Sequence, residues 1–417
     1  MIETSPISQI CTHNTRTGVP RVAEAFTCGM IHGGADVTIL QWGRSNHIDA
    51  VSRHLEKRTG VSRAGFHRET LFDRVTEAGG AWRKCLGWLP GAVRNGIIDQ
   101  ILKLSLRRKM TGSFEILHST YVDFPRSGLV PAHVIKSATL YDVLPITHPH
   151  WFDRGGRKRF QRIFESLKQA DHLFSISEHT KMEFCRLSHY PAEKITVVPP
   201  AVDHAVFRPE RSPETLDRLR EKYHLPPAPY LLSLCTLEPR KNLPFIIQAF
   251  CEHLRRHPDS PHHLVLAGGK GWLPEDFFEK CAVPDPLHHR FIFTGYVAEK
   301  DLAALYSHAE LFVYLPLAEG FGLPPLEAMS CGTPVLVSDN TSLPEVVGSA
   351  GYYASAEDLP SLARQLGAIL EPEFSLRQHV PQATERAAGF TWEAFVHRHQ
   401  EVFSGGLGEV RSRKYRK

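Results

Sequence analysis

Short apolar runs alternate with amphipathic helical patterns along this chain, and the alternation begins twice. In the first half, residues 36–42, 114–118, 134–142, 172–177 and 194–199 read as strands, and 20–31, 157–170 and 178–188 as helices. In the second half, 229–235, 263–267, 290–294, 311–315 and 334–338 read as strands, with helices over 242–256, 299–308, 324–331 and 359–370. Runs this short and apolar suit strands buried on both faces. Strands of that kind separated by helices form parallel sheets, because a parallel connection is long enough to hold a helix. Two α/β domains facing each other are therefore expected, with ligands at the carboxyl ends of the strands in the cleft between them. At 417 residues the chain also exceeds what one core normally holds. The break falls at Pro199-Pro200-Ala201-Val202-Asp203 and continues as a charged stretch to Pro227. The expected boundaries are 1–200 and 201–389, then a helix over 390–404 crossing back to the first domain, then a basic tail over 405–417.

Within that frame the most informative segment runs from Leu317 to Glu327. It follows the apolar run 311–315 and carries two glutamates, Glu319 and Glu327. Gly320 and Gly322 let the backbone come close to a ligand. Pro324 and Pro325 suit a first helical turn, and Gly332 suits its C′ position. One carboxylate is thus expected at a strand exit and the other in the first turn of a helix. Between them lies an amide-rich helix N-terminus, which attracts anions and polar ligands. A second segment, Thr236-Leu237-Glu238-Pro239-Arg240-Lys241-Asn242, follows another strand and opens another helix. Arg240 and Lys241 would there match a diphosphate, one as a fork and one as a compact charge. A basic pair is more often a solvated surface; its place at a strand's carboxyl end favours the phosphate. A third segment, Asn14 to Arg21, lies between an expected first strand at 7–11 and a helix, where Gly18 could bring amides to a phosphate. A plain loop is an equal reading.

Taken together, these segments resemble the retaining, GT-B-fold glycosyltransferases of family four, also called glycosyl transferases group 1. The resemblance covers nearly the whole chain. The spacing of Glu319 and Glu327 matches the family's E-x7-E motif, and Thr236 to Asn242 matches its Thr-Leu-x-Pro-Arg-Lys-Asn block. Leu266 to Trp272 and Phe293 to Val297 match the blocks between, and Arg16 to Val22 is similar to the amino-terminal block of a mannosyltransferase-like branch. The resemblance implies two facing Rossmann-like domains with a ligand cleft. It implies that Arg240 and Lys241 hold the donor diphosphate and that Glu319 faces the donor sugar. Glu327 would hold the ribose, and the amides of Phe321, Gly322 and Leu323 would contact sugar and phosphate. Gly18 would close the phosphate site, and Tyr296 would line the base pocket. Two departures stand out. Tyr141 occupies the position of a family histidine that contacts the sugar, and a phenol can also donate a hydrogen bond. His118, at the preceding strand end, is either a second sugar contact or a structural residue. Cys235 replaces a usual glycine and reads as a buried packing residue.

Composition excludes several other classes. A net charge of +4 argues against a dedicated nucleic-acid binder, and 42% hydrophobic with 23% charged residues is ordinary for a soluble enzyme. Eight scattered cysteines without a Cys-x-x-Cys pair read as reduced thiols of a cytoplasmic protein. The N-terminus lacks a signal-peptide pattern, and no apolar run approaches membrane-spanning length. No Asp-x-Asp occurs, and the His-rich spots lack ligand spacing, so no metal or other cofactor is expected. The stretch 81–110 carries seven basic residues, one acid, Trp82 and Trp88. It is either a solvated helical face or a peripheral dock on the anionic inner face of a membrane.

The expected activity is transfer of a hexose from a nucleotide-diphosphate sugar to a glycan or lipid-linked acceptor in polysaccharide or glycoconjugate synthesis. Mannose from GDP-mannose is favoured by the resemblance. The alternatives are a sugar-nucleotide 2-epimerase of similar fold and a non-catalytic nucleotide-sugar-binding partner subunit.

Overall fold

The computed structural model describes residues 2–3, 18–33, 35, 38–41, 48–60, 67–70, 115–121, 123–124, 130–236, 238–269, 286–371 and 373–407. The segments 7–11, 14–17, 81–110, 270–272 and 411–417 lie outside these. The chain divides into two compact units. Unit 1 comprises residues 1–176, 180–198 and 392–417; unit 2 comprises 177–179 and 199–391.

Unit 1 contains β1 (Ile2–Glu3), α1 (Gly18–His32), β2 (Thr38–Gln41), α2 (Ile48–Thr59), β3 (His67–Thr70), β4 (Ile116–Ser119) and β5 (Ile135–Leu140). It continues with α3 (Leu144–Thr147), α4 (Arg154–Leu167), β6 (His172–Ser175), α5 (Glu178–Ser188) and β7 (Ile195–Val197). The seven strands form one parallel sheet in the order β3-β2-β1-β4-β5-β6-β7. The first described strand is β1, with Ile2 paired to both Ile39 and His118. Leu117, Val134, Leu140, Ile163, Phe164, Leu167, Leu173 and Phe184 build its core.

Unit 2 contains α6 (Pro213–Tyr223), β8 (Tyr230–Leu234), α7 (Leu243–Arg256), β9 (His263–Ala267), β10 (Phe291–Gly295), α8 (Glu299–His308) and β11 (Leu311–Tyr314). It continues with α9 (Leu323–Ser330), β12 (Val335–Ser338), α10 (Leu343–Val347), β13 (Tyr352–Ala354), α11 (Leu359–Ile369) and α12 (Val380–Ala388). Its six strands are parallel, in the order β10-β9-β8-β11-β12-β13. This is a doubly wound order, and it reverses between β8 and β11, which is where such sheets hold ligands. Every residue of β11 and β12 is buried, as a sheet covered on both faces requires.

Several elements differ from the sequence reading, the edge strand β3 among them. The charged stretch after the seam contains α6, which starts where the Ser212 side chain accepts from Thr215 N at 3.2 Å. Pro213 fills its first position, and His224 ends it with φ 54°. The short edge strand β13 was not expected; three residues leave too little alternation to register. The last helix, α13 (Trp392–Glu401), belongs to unit 1. It packs on α1 so closely that a Cβ at Gly29 would sit 2.1 Å from Val396 Cγ2.

Candidate active site

The switch point of unit 2 brings together two loops that are far apart in sequence. Beyond β8 the chain passes Cys235 and Thr236, makes a short 3-10 turn over Pro239–Lys241 and enters α7 through Asn242 at φ 58°. Beyond β11 it passes Glu319 and enters α9 through Gly322 at φ 126°. A backbone hydrogen bond from Leu317 N to Arg240 O, 2.9 Å, joins the two. Gly322 is required twice over: its φ is positive, and a Cβ there would lie 2.6 Å from Leu343 Cδ2. Gly268, at the exit of β9, is equally constrained, because a Cβ would meet the Cys235 carbonyl oxygen at 1.8 Å.

Arg240, Lys241 and Glu319 meet in one cluster. Arg240 Nη1 donates to Glu319 Oε2 at 2.8 Å, and Lys241 Nζ donates to the same oxygen at 2.5 Å. Tyr314, the last residue of β11, donates its hydroxyl to that oxygen at 2.8 Å and accepts from Lys241 Nζ. The ammonium also lies 5.0 Å from the Tyr314 ring centroid. The other side of Arg240 holds Glu238, with Nη2 and Oε1 2.7 Å apart. Two cations and two carboxylates thus sum to zero formal charge. Burial alone would push the Glu319 carboxyl up. The charges of Arg240 and Lys241, with hydrogen bonds from Lys241 and Tyr314, reverse this and hold it at about 2. Glu238 goes the other way: burial raises it against the pull of both cations. Burial also lifts the Cys235 thiol to about 12, so it is a packing residue and no nucleophile.

The Glu319 loop is fixed by a polar run that the sequence reading passed over. Ser338 Oγ donates to Pro316 O, and Asn340 Nδ2 to the carbonyls of Pro316 and Leu317. Thr341 Oγ1 accepts from Glu319 N, and Ser342 Oγ donates to the carbonyls of Glu319 and Phe321. These carbonyls are drawn toward β12 and α10. Pro324 and Pro325 remove two amides from the first turn of α9, and the remaining donors there belong to Leu323 and the loop before it. Phe321 is buried against Phe390.

The other expected site residues fall elsewhere. α9 begins one residue earlier than expected, so Glu327 is its fifth residue and lies in the second turn. It is buried and accepts from the Tyr306 hydroxyl at 2.9 Å. Tyr296 follows β10 and is 59% exposed. By strand spacing the end of β10 lies two strands, about 10 Å, from β8, within the reach of one nucleoside diphosphate. Gly18, Tyr141 and His118 belong to unit 1. Gly18 is the first residue of α1. Tyr141 is buried beside Tyr121, with ring centroids 5.6 Å apart. Of the two readings of His118, the structure supports the structural one. Its ring is 1% exposed, both nitrogens are engaged by Ser137 and Thr139, and it packs on Phe26. A sugar contact by His118 is therefore withdrawn. No helix among the described residues is long and apolar enough to cross a membrane.

Comparison with known proteins agrees with this geometry. Residues 228–372 match the family model for glycosyl transferases group 1, and residues 17–206 match that for glycosyltransferase family 4. The chain is 33% identical over 260 residues to O-antigen chain mannosyltransferase B of Escherichia coli, covering 61% of this chain and 66% of that one. It is 31% identical over 287 residues to the serotype-specific mannosyltransferase WbdA of Escherichia coli, covering 66% of this chain and 34% of the relative. The chain thus spans just under two thirds of the first relative and a third of the second. The crystal structure of Anabaena Alr3699/HepE in complex with UDP and glucose superposes with a TM-score of 0.65 at 16% identity, over 94% of this chain and 97% of that one. That likeness establishes the GT-B fold, two parallel-sheet α/β domains, and both family models lie on the units described above. The chain belongs to the family 4, group 1 glycosyltransferases.

Proposed function

We propose that this protein is a retaining, metal-independent hexosyltransferase that moves mannose from a nucleotide-diphosphate donor, GDP-mannose, to a glycan or lipid-linked saccharide. The observation that carries the reading is the Arg240-Lys241-Glu319-Tyr314 cluster at the switch point of unit 2. The names of the two Escherichia coli relatives favour mannose and a surface polysaccharide.

Lys241 has three donors, two of them directed to Tyr314 and Glu319, so one remains for a phosphate oxygen. Because the cluster is already neutral, the rest of the diphosphate charge falls to the amides of Phe321, Gly322 and Leu323 at the positive end of α9. Fixed cations and amides stabilise the charge that develops on the leaving diphosphate without needing a divalent ion. Glu319 suits hydrogen bonding to sugar hydroxyls. A carboxylate held at about 2 and clasped by three donors is a weak base and a weak nucleophile. That disfavours a glycosyl-enzyme intermediate and leaves same-face attack by the acceptor hydroxyl, with the donor phosphate taking its proton. The ribose role of Glu327 requires its carboxylate to turn from Tyr306 toward the nucleotide. Tyr296 would stack on the base, and Tyr141 and Gly18 would act from unit 1.

The test is transfer and donor hydrolysis with GDP-mannose against UDP-glucose and UDP-N-acetylglucosamine. Lys241→Ala and Glu319→Ala should each lower turnover by about 10²–10³-fold. Conversion of UDP-N-acetylglucosamine to its 2-epimer without any acceptor would replace the proposal with an epimerase. Equal binding of donor by wild type and both variants, with no turnover by any of them, would leave a binding subunit. Peripheral contact with the inner leaflet of a membrane follows if the acceptor is lipid-linked.

A further inference from the structure

We propose that the outward face of α4, in unit 1, is the surface by which this protein docks on an anionic bilayer. The proposal deepens the lipid-linked-acceptor reading and takes its biological sense from it. It rests on helix α4 and not on the stretch 81–110.

Helix α4 divides sharply into two faces. Phe160, Ile163, Phe164 and Leu167, at helical spacing, are built into the core of unit 1. Arg154, Lys158 and Arg162 are exposed on the opposite side, and Arg157 and Arg159 are exposed on the flanks. Arg159 lies 5.8 Å from the Tyr121 ring centroid, and Arg162 lies 4.0 Å from Asp123. Arg154, Arg157 and Lys158 make no ion pair among the described residues. The nearby acids are committed elsewhere: Asp153 caps the helix by accepting from Gly156 N at 2.6 Å, and Glu165 holds Gln161 and Lys168.

Two rules of helix electrostatics oppose this arrangement. The N-terminal end of a helix is its positive end, so cations in the first turns destabilise it. α4 places Arg154, Arg157 and Lys158 there, with no acid in its first turn. Like charges three or four residues apart also repel, and here Arg154–Arg157, Arg154–Lys158, Lys158–Arg162 and Arg159–Arg162 all do so. Arg159 and Arg162 have Tyr121 and Asp123 as partners, but Arg154, Arg157 and Lys158 make no ion pair among the described residues that would offset this repulsion. A dense layer of phosphates outside the helix would turn every one of them favourable.

Shape selects the partner. The apolar side of α4 is fixed in the core, so its basic side is a ridge about 12 Å long between Arg154 and Arg162. Presented outward as one ridge, it can lie along a plane of headgroups. Trp151 and Phe152, both partly exposed, lead into the helix, and His148 stacks on Trp151 with ring centroids 4.2 Å apart. Trp at the edge of a basic helix fits the headgroup level of a bilayer.

Sedimentation with phosphatidylcholine vesicles, with and without phosphatidylglycerol, tests this on the full chain. Wild type should partition onto the phosphatidylglycerol vesicles alone, and added salt should release it. A basic residue near an anionic leaflet is worth about a fivefold gain in partitioning. The triple variant Arg154→Gln, Arg157→Gln, Lys158→Gln should therefore lose about a hundredfold, with a melting temperature equal to or above wild type. If wild type binds but the triple variant binds equally, α4 is excluded while membrane contact survives. If wild type ignores both vesicles, the dock and the membrane reading fail together, with the glycosyltransferase reading untouched. Tighter binding to a duplex oligonucleotide than to vesicles at the same ionic strength would replace lipid by nucleic acid.

Discussion

Tyr314 puts a neutral hydroxyl between a cation and an anion: it accepts from Lys241 and donates to Glu319. Removing that oxygen while keeping the ring separates positioning from packing. Tyr314→Phe should lower kcat/KM by roughly 10- to 100-fold, the range expected for hydrogen bonds to charged groups. It should also move the acid limb of the pH–rate profile upward, because Tyr314 is one of the donors holding Glu319 at about 2. An unchanged acid limb would make the hydroxyl merely structural. Arg240, Lys241 and Glu319 were legible in the sequence because charged residues at strand exits stand out against apolar runs. Tyr314 was not, because one tyrosine at the end of a buried strand looks like core. Glu238 lies in the same segment as Arg240 and Lys241, but sequence gives no sign that its carboxylate turns back to Arg240. His118 left two readings open because a strand-end histidine carries no mark of which face its strand buries.

Among the elements, α13 is the one whose role sequence could suggest but not explain. Its pattern was visible, yet its seat depends on Gly29 and on an aromatic cluster that no local spacing encodes. His399, on α13, is fully buried against Phe26 and Phe174, and its Nδ1–H donates to Phe395 O at 2.8 Å. Burial lowers its pKa to about 4 from the ordinary 6.5, and His172 nearby is lowered to about 4 by the same cause. The folded state thus favours neutral rings. This stability is complete above pH 6.5 and is lost as pH falls from 6.5 toward 4. Hydrogen exchange across 392–403 should accelerate in that window, and His399→Phe, which fits an aromatic cluster, should flatten the response. Equal acid sensitivity in the variant would assign the effect to other groups. The helix α6 went unread for a different reason: its charged residues look like a linker, although Ser212-Pro213 is a recognisable helix start.

On the scale of the whole molecule, most of both sheets was legible because parallel strands buried on both faces leave continuous apolar runs; the edge strands β3, polar in sequence, and β13, three residues long, were not. Sheet order was not, since it depends on crossovers that composition does not record. The two units make one prediction about ligand response. Hydrogen exchange with GDP or GDP-mannose should show protection concentrated in unit 2, at 236–242 and 316–323. Protection spread evenly over both units would contradict a donor site built on the β8 and β11 exits. The division of the chain also bears on synthesis. Unit 1 starts at the first residues, but the helix that closes over Phe26 and Phe174 comes only after all of unit 2. On the ribosome, unit 2 is the first unit whose sequence is fully available. Unit 1 must wait with an aromatic face uncovered until Trp392–Glu401 emerges, which makes that interval the window in which the nascent chain most needs a chaperone.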